Sequence, residues 1–158
     1  MTMRCRLVGI VTVVAALSFP DAVATAAPAP SAPCTAELDG AMTFPAGATA
    51  PLICAGNQWQ PVTDPYPTSD QWVSDGPAMT LHGQGRPNPN LLSGNWTATP
   101  LDPETRCEAT QLAVIPGSPT VGAPRVDRAA AGQPLTFEVV PVLFSIEMRG
   151  DCLWQKAR

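Results

Sequence analysis

Nineteen prolines in 158 residues constrain this chain more than any other feature. Proline locks φ, supplies no backbone N–H, and is excluded from helix interiors and from the middle of a sheet. Between residues 35 and 91 it recurs inside turn-forming groups: Phe44-Pro45-Ala46-Gly47, Asp64-Pro65-Tyr66-Pro67, Asp75-Gly76-Pro77 and Arg86-Pro87-Asn88-Pro89-Asn90. A helix longer than two turns does not fit between them. This half is expected to fold as short strands and ordered loops, with 50–54 and 78–82 the best strand segments.

The second half carries period-two patterns. "NWTAT" at 95–99 and "CEATQLAVI" at 107–115 have strand composition, and in "LTFEVV" Leu135, Phe137 and Val139 share a face opposite Thr136 and Glu138. Beyond Pro141, Val142, Phe144, Ile146 and Met148 alternate with Leu143, Ser145, Glu147 and Arg149. Several short strands joined by Gly and Pro turns predict a mainly β fold, a small disulfide-stapled β-sandwich or partly open barrel with long Pro/Gly loops. The longest connection, 116–132, is expected to be mobile.

The first residues differ from the rest. Two arginines precede Leu7–Phe19, an uncharged run of Leu, Val, Ile and Ala that is too short to span a bilayer but suits a signal-peptide core. Two small-x-small sites follow, Ala22-Val23-Ala24 and Ala24-Thr25-Ala26. We read residues 1–26 as a secretory signal, 27–33 ("APAPSAP") as a disordered Pro/Ala-rich tail, and 34–158 as a single β-rich domain. No later segment is long and apolar enough to span a membrane. The context of Cys34, with Ser31-Ala32-Pro33 before it, is not that of a lipid-modified cysteine.

If the leader is removed, Cys5 leaves with it, and Cys34, Cys54, Cys107 and Cys152 remain. An even set in a small exported domain reads as two disulfides, for which three pairings exist. Cys34–Cys54 with Cys107–Cys152 is favoured, since each pair then lies within one half of the chain. Zinc would need ligands in close pairs, which are absent, and neither a metal nor a cofactor is expected. Beyond residue 26 there are seven Arg and Lys against twelve Asp and Glu. That acidic balance disfavours nucleic acid and anionic lipid as partners.

The closing segment "SIEMRGDCLWQKAR" contains Arg149-Gly150-Asp151, a tripeptide read by adhesion receptors, next to Cys152-x-Trp154. Short words of common residues arise by chance. Residues 145–154 are expected to form one strand continuing through a bulge at Gly150, pinned by Cys152 and capped by Trp154. "SGNWTAT", the following Cys107 and "SIEMRGDCLW" together resemble small secreted proteins of actinobacteria, of mycobacterial type, with a C-terminal Cys-x-Trp strand. The resemblance covers residues 92–156. It implies an exported β-rich domain and carries no established activity onto any residue.

Catalytic chemistry finds few candidates. The single histidine, His82, lies in a Gly-rich loop; Ser74 or Ser93 with Asp75 could complete a triad only on paper, and no nucleophile elbow surrounds either serine. Asp102 and Glu104 flank Pro103 as an ordinary turn. The aromatics offer more, because Tyr66 and Trp72 fall in the polar, Pro-rich stretch "DPYPTSDQWVSDGP", where exposed rings serve as contact residues. The expectation is a secreted, non-catalytic monomer, extracellular or associated with the cell wall, that binds a cell-envelope or host component with Tyr66 and Trp72. The alternative is a protease inhibitor with 116–128 as its reactive loop.

Overall fold

The structure, a computed structural model, describes residues 28–76 and 78–158; the expected signal sequence, 1–26, lies outside the described residues. Apart from one 3₁₀ turn at Ala36–Leu38, the regular structure among the described residues is all strand. In chain order the strands are β1 (Met42–Thr43), β2 (Leu52–Ala55), β3 (Gln58–Pro61), β4 (Gln71–Ser74), β5 (Met79–His82) and β6 (Gly94–Pro100). They continue with β7 (Glu108–Ala113), β8 (Arg125–Arg128), β9 (Leu135–Val139), β10 (Leu143–Arg149) and β11 (Cys152–Lys156). One sheet has the order β3-β2-β1-β4-β11-β6-β9 and the other β5-β10-β7-β8. All neighbours are antiparallel except β1 and β4. The mainly β, sandwich-like fold is as expected, and the sheets are not closed into a barrel.

Alternation explains how the sheets face each other. Leu135, Phe137 and Val139 of β9 are buried while Thr136 and Glu138 are exposed. Trp96, Ala98, Ile146, Met148, Trp72 and Trp154 meet them between the sheets. Phe137 and Trp154 pack edge to face with ring centroids 5.9 Å apart, the arrangement that aromatic quadrupoles favour. One side of the sandwich is closed by Gln111, which is almost fully buried. Its Nε2 donates to the Glu138 carbonyl at 2.9 Å and its Oε1 accepts from Val140 N at 3.2 Å, so a polar core residue ties β7 to β9 with its hydrogen bonds satisfied.

Strands β4 and β11 are buried on both faces. Their outward residues Val73 and Leu153 are covered by a second layer containing Leu38, Leu52, Trp59 and the Cys34–Cys54 disulfide. Of the stretch 27–33, expected as a disordered tail, residues 31–33 are bonded to this layer: Ser31 N donates to Trp59 O at 2.8 Å, Trp59 N to Ala32 O at 2.9 Å, and Pro33 bridges Gln58, with Cys34 N donating to Asn57 O at 3.0 Å beyond them. Residues 31–33 thus lie along β3, the edge of the larger sheet, after a turn in which Ala32 N donates to Ala29 O at 2.9 Å. Pro33 is tolerated because an edge segment bonds on one side only, and it blunts that edge against further pairing.

Two irregularities correct the reading of the closing strands. A register shift between Leu143 and Ser145 turns Leu143 into the core and leaves Val142 exposed, which reverses the assumed faces at the start of β10. At Gly150, with φ +95°, the chain leaves one sheet for the other. What was expected to be one bulged strand is therefore two strands meeting at a corner. A Cβ at Gly150 would run into the Arg106 carbonyl, so this close crossing needs glycine. The Cys107–Cys152 disulfide, formed as favoured, joins the sheets at the same corner, with its α-carbons 6.1 Å apart.

Candidate functional site

Strand directions sort the connections into two ends. At one end lie 66–70, 83–93, 114–124 and 140–142, with the end of β11 beside them. At the other lie the links β4 to β5, β6 to β7, β8 to β9 and β10 to β11. Each of those four passes from one sheet to the other. The first is the loop end below, and the second the crossover end.

The loop end is built around Asn90. Its side-chain oxygen accepts from His82 N at 3.0 Å and its Nδ2 donates to the Pro67 carbonyl at 3.3 Å. Its backbone accepts from Ser69 N at 2.9 Å, and Thr68 Oγ1 donates to Pro89 O at 2.6 Å. Two Pro-rich segments are thereby stitched side by side. Beneath them the indole N–H of Trp72 donates to Ser69 O at 3.2 Å and that of Trp96 to Leu92 O at 3.0 Å. Tyr66 projects from this framework 60% exposed, its own N–H held by Asp64 Oδ1 at 2.8 Å. Next along the end, Gly85 N donates to Leu143 O at 2.7 Å. A Cβ on Gly85 would press on the Val142 and Leu143 carbonyls. Val114 N in turn donates to Val142 O at 2.8 Å, and Val114 bridges Val121.

Of seven large hydrophobic residues exposed among the described residues, five are on these segments: Tyr66, Leu92, Ile115, Val121 and Val142. They sit on backbone fixed by hydrogen bonds, a surface prepared to be covered. Of the two expected contact residues, only Tyr66 is at the surface. Trp72 has no exposed area, which corrects its assignment as a contact residue; its part is to hold the loop that carries Tyr66. Nothing in the local sequence separates the two rings. Leu92 and Val121 were missed because isolated apolar residues near turns carry no periodic signal, and Ile115 and Val142 because the alternating runs assigned them to strands.

The segment proposed as an inhibitory loop is not a long mobile connection. Ser118 N donates to Ile115 O and Gly122 N to Ala113 O. Residues 125–128 form β8, paired with β7 and held by Arg128–Glu108 and Arg125–Asp127 salt bridges at 2.7 and 3.1 Å. Edge pairing rigidifies what Pro and Gly content made look loose.

His82 belongs to the loop end, whereas Ser74 and Asp75 are at the crossover end, so the paper triad is not assembled. The His82 Nε2 is 2.9 Å from Arg86 Nη1, and the Arg86 guanidinium lies 4.9 Å from the centre of the Phe144 ring. Burial, and then the Arg86 charge, lower the His82 pKa from its usual value. Ser74 is engaged elsewhere, accepting from Trp154 Nε1 at 2.8 Å and donating to Gly150 O.

The crossover end is acidic. Asp75 and Asp151 line one cleft with Glu37, walled by apolar residues including Trp59 and Leu101. Burial raises the pKa of Asp75; burial first, then Asp75 and Asp102, raises that of Asp151. The tripeptide 149–151 is thus divided at the corner, with Arg149 ion-paired to Glu147 at 2.6 Å and Asp151 lining the cleft. Among the described residues no cluster of His, Cys, Asp or Glu is placed to hold a metal ion. Compared with protein-family models, curated protein sequences and solved structures, the chain matches none of them.

Proposed function

We propose that this chain is an exported, non-catalytic binding module, and that its loop end, which carries Tyr66, recognises a component of the cell envelope or of the extracellular surroundings. The observation that carries this reading is the gathering of five of the seven exposed large hydrophobic residues on one row of hydrogen-bonded loops. A preformed apolar surface that includes an aromatic ring loses little entropy on binding. Two formed disulfides support export, since such bonds persist in oxidising compartments.

The test is saturable retention of the protein on isolated cell-envelope material. Tyr66→Ala is expected to weaken it by about 5- to 30-fold, the range for an aromatic contact residue, with an unchanged melting temperature because the ring is exposed. Leu92→Ser and Ile115→Ser are expected to weaken it less. Absence of saturable binding, or equal binding by all three variants, would remove the reading.

A further inference from the structure

Residues 83–90 leave β5 and come back to its last residue. At the far end of this loop Asn90 takes hold of the His82 backbone twice: its N–H donates to His82 O at 2.8 Å, and its side-chain oxygen accepts from His82 N at 3.0 Å. At the near end Gly83 N donates to Phe144 O at 3.4 Å and Gly85 N to Leu143 O at 2.7 Å, where β10 changes register. The Gln84 Oε1 accepts from Ser93 N at 2.8 Å, so the placing of Leu92 depends on this loop as well.

One side chain of the loop closes on the strand. The Arg86 guanidinium lies 4.9 Å from the centre of the Phe144 ring, and its Nη1 is 2.9 Å from His82 Nε2. A guanidinium stays charged and has no lone pair to offer, so in this contact arginine donates and imidazole accepts. Nε2 is therefore unprotonated, and the neutral ring carries its proton on Nδ1. A second proton would go to Nε2, the position that this contact needs empty. The hydrogen bond would give way to N–H facing N–H, with two cations side by side.

Ser145 is the residue opposite His82 on β10. The other ionisable groups on the elements around the ring are Glu147 and Arg149 of β10, which pair with each other at 2.6 Å, and Asp64, Tyr66 and Asp70 on the segment that Asn90 holds alongside. Their influence is outweighed: burial, and then the Arg86 charge, hold the His82 pKa below 6.5.

We propose that His82 and Arg86 form a proton-operated clasp: with Nε2 free of a proton, Arg86 is held against β5 and the loop 83–90 is closed, and protonation of the ring releases Arg86 and loosens that loop. Acid should therefore weaken what the loop end holds. That consequence rests on the binding reading above; the clasp itself does not.

The experiment is NMR on the protein recovered from the medium of an exporting host, between about pH 8 and pH 5, the window in which a histidine titrates. At the upper limit the ring nitrogens should show the neutral tautomer with its proton on Nδ1. The ring should titrate below 6.5 in the wild type and at a higher pKa in Arg86→Met. Protection of the Gly85 and Asn90 amides from exchange, corrected for its intrinsic pH dependence, should fall by about 2- to 10-fold as the ring charges, the equivalent of one hydrogen bond. It should not fall in His82→Gln, whose amide oxygen can accept from Arg86 and does not titrate. A proton on Nε2, a wild-type pKa at or above 6.5, or an equal loss of protection in His82→Gln would each overturn the clasp. Retention on cell-envelope material should decline over the same window in the wild type and stay level in His82→Gln. Saturable retention with the same pH dependence in both proteins would overturn the link between clasp and binding. No saturable retention at either limit would sink the binding reading alone, since the NMR measurements decide the clasp without it.

Discussion

The two ends of this sandwich are held by different means. At the crossover end four links pass from sheet to sheet, against two at the loop end, and a disulfide and a glycine corner lock the last of the four. At the loop end the fastening is a set of hydrogen bonds centred on one asparagine, with the N–H groups of two buried indoles beneath it. The chemistry is divided in the same way: carboxylates gather at the first end and exposed apolar side chains at the second. A small domain rich in proline can thus present an apolar surface at one end while the other supplies much of the constraint that keeps the sheets together.

Breaking the covalent lock should have the largest effect. Cys107 and Cys152 close a loop with a sequence separation of 45, for which chain entropy gives about 4 kcal/mol. Cys107→Ser/Cys152→Ser is expected to lower the melting temperature by more than about 10 °C, measured by circular dichroism. Cys34→Ser/Cys54→Ser, with a separation of 20, should cost less, about 3 kcal/mol, and should expose the outer layer first. Equal losses would mean that the two ends unfold as one unit and that the division drawn here is only geometric.

How much of this was legible depended on whether a segment has one wet face. β9 could be read at once because its exposed and buried residues alternate. β4 could not: Trp72 and Val73 are buried on opposite faces, so "QWVS" has no period, and its polar, Pro-rich surroundings suggested a surface loop. β8, "RVDR", reads as charged coil because it is an edge strand whose outward residues are wet. Residues 31–33 look disordered by composition and are ordered by β3, a partner the composition does not record. The preferred disulfide pairing was legible from spacing, whereas the meeting of Asp75 with Asp151 was not, because it depends on the register of two strands far apart in the chain. Tyr66 was legible from its turn; its apolar companions were not.

Cutting the loop-end stitch should have an intermediate effect. Asn90→Ala removes the acceptor of His82 N and the donor to Pro67 O, and a partly buried amide left without its partner costs about 1 to 2 kcal/mol. The expected result is a fall of about 3 to 8 °C in melting temperature with faster hydrogen exchange at the Ser69 amide. Retention on envelope material should fall although no exposed contact residue has changed. Unaltered retention with faster exchange would show that the loops need not be held in advance, and the binding reading would then rest on Tyr66 and its exposed neighbours alone.

The smallest expected effect is the most discriminating, because the two ends should answer to pH with opposite sign. His82 has a lowered pKa in the folded protein. Its contribution is therefore present above pH 6.5, the unfolded value, and is lost as pH falls through the folded value. Asp75 and Asp151 are raised, so the folded protein takes up their protons more readily than the unfolded chain, and their burial disfavours folding increasingly as pH climbs above 3.8. Melting temperatures taken from pH 8 to 4 should show the first effect removed in His82→Gln and the second in Asp75→Asn/Asp151→Asn. Each variant should leave the other limb of the curve in place. A single limb that both sets of substitutions abolish would mean that the charges of the two ends are coupled through the sheets, and the ends could no longer be treated as separate.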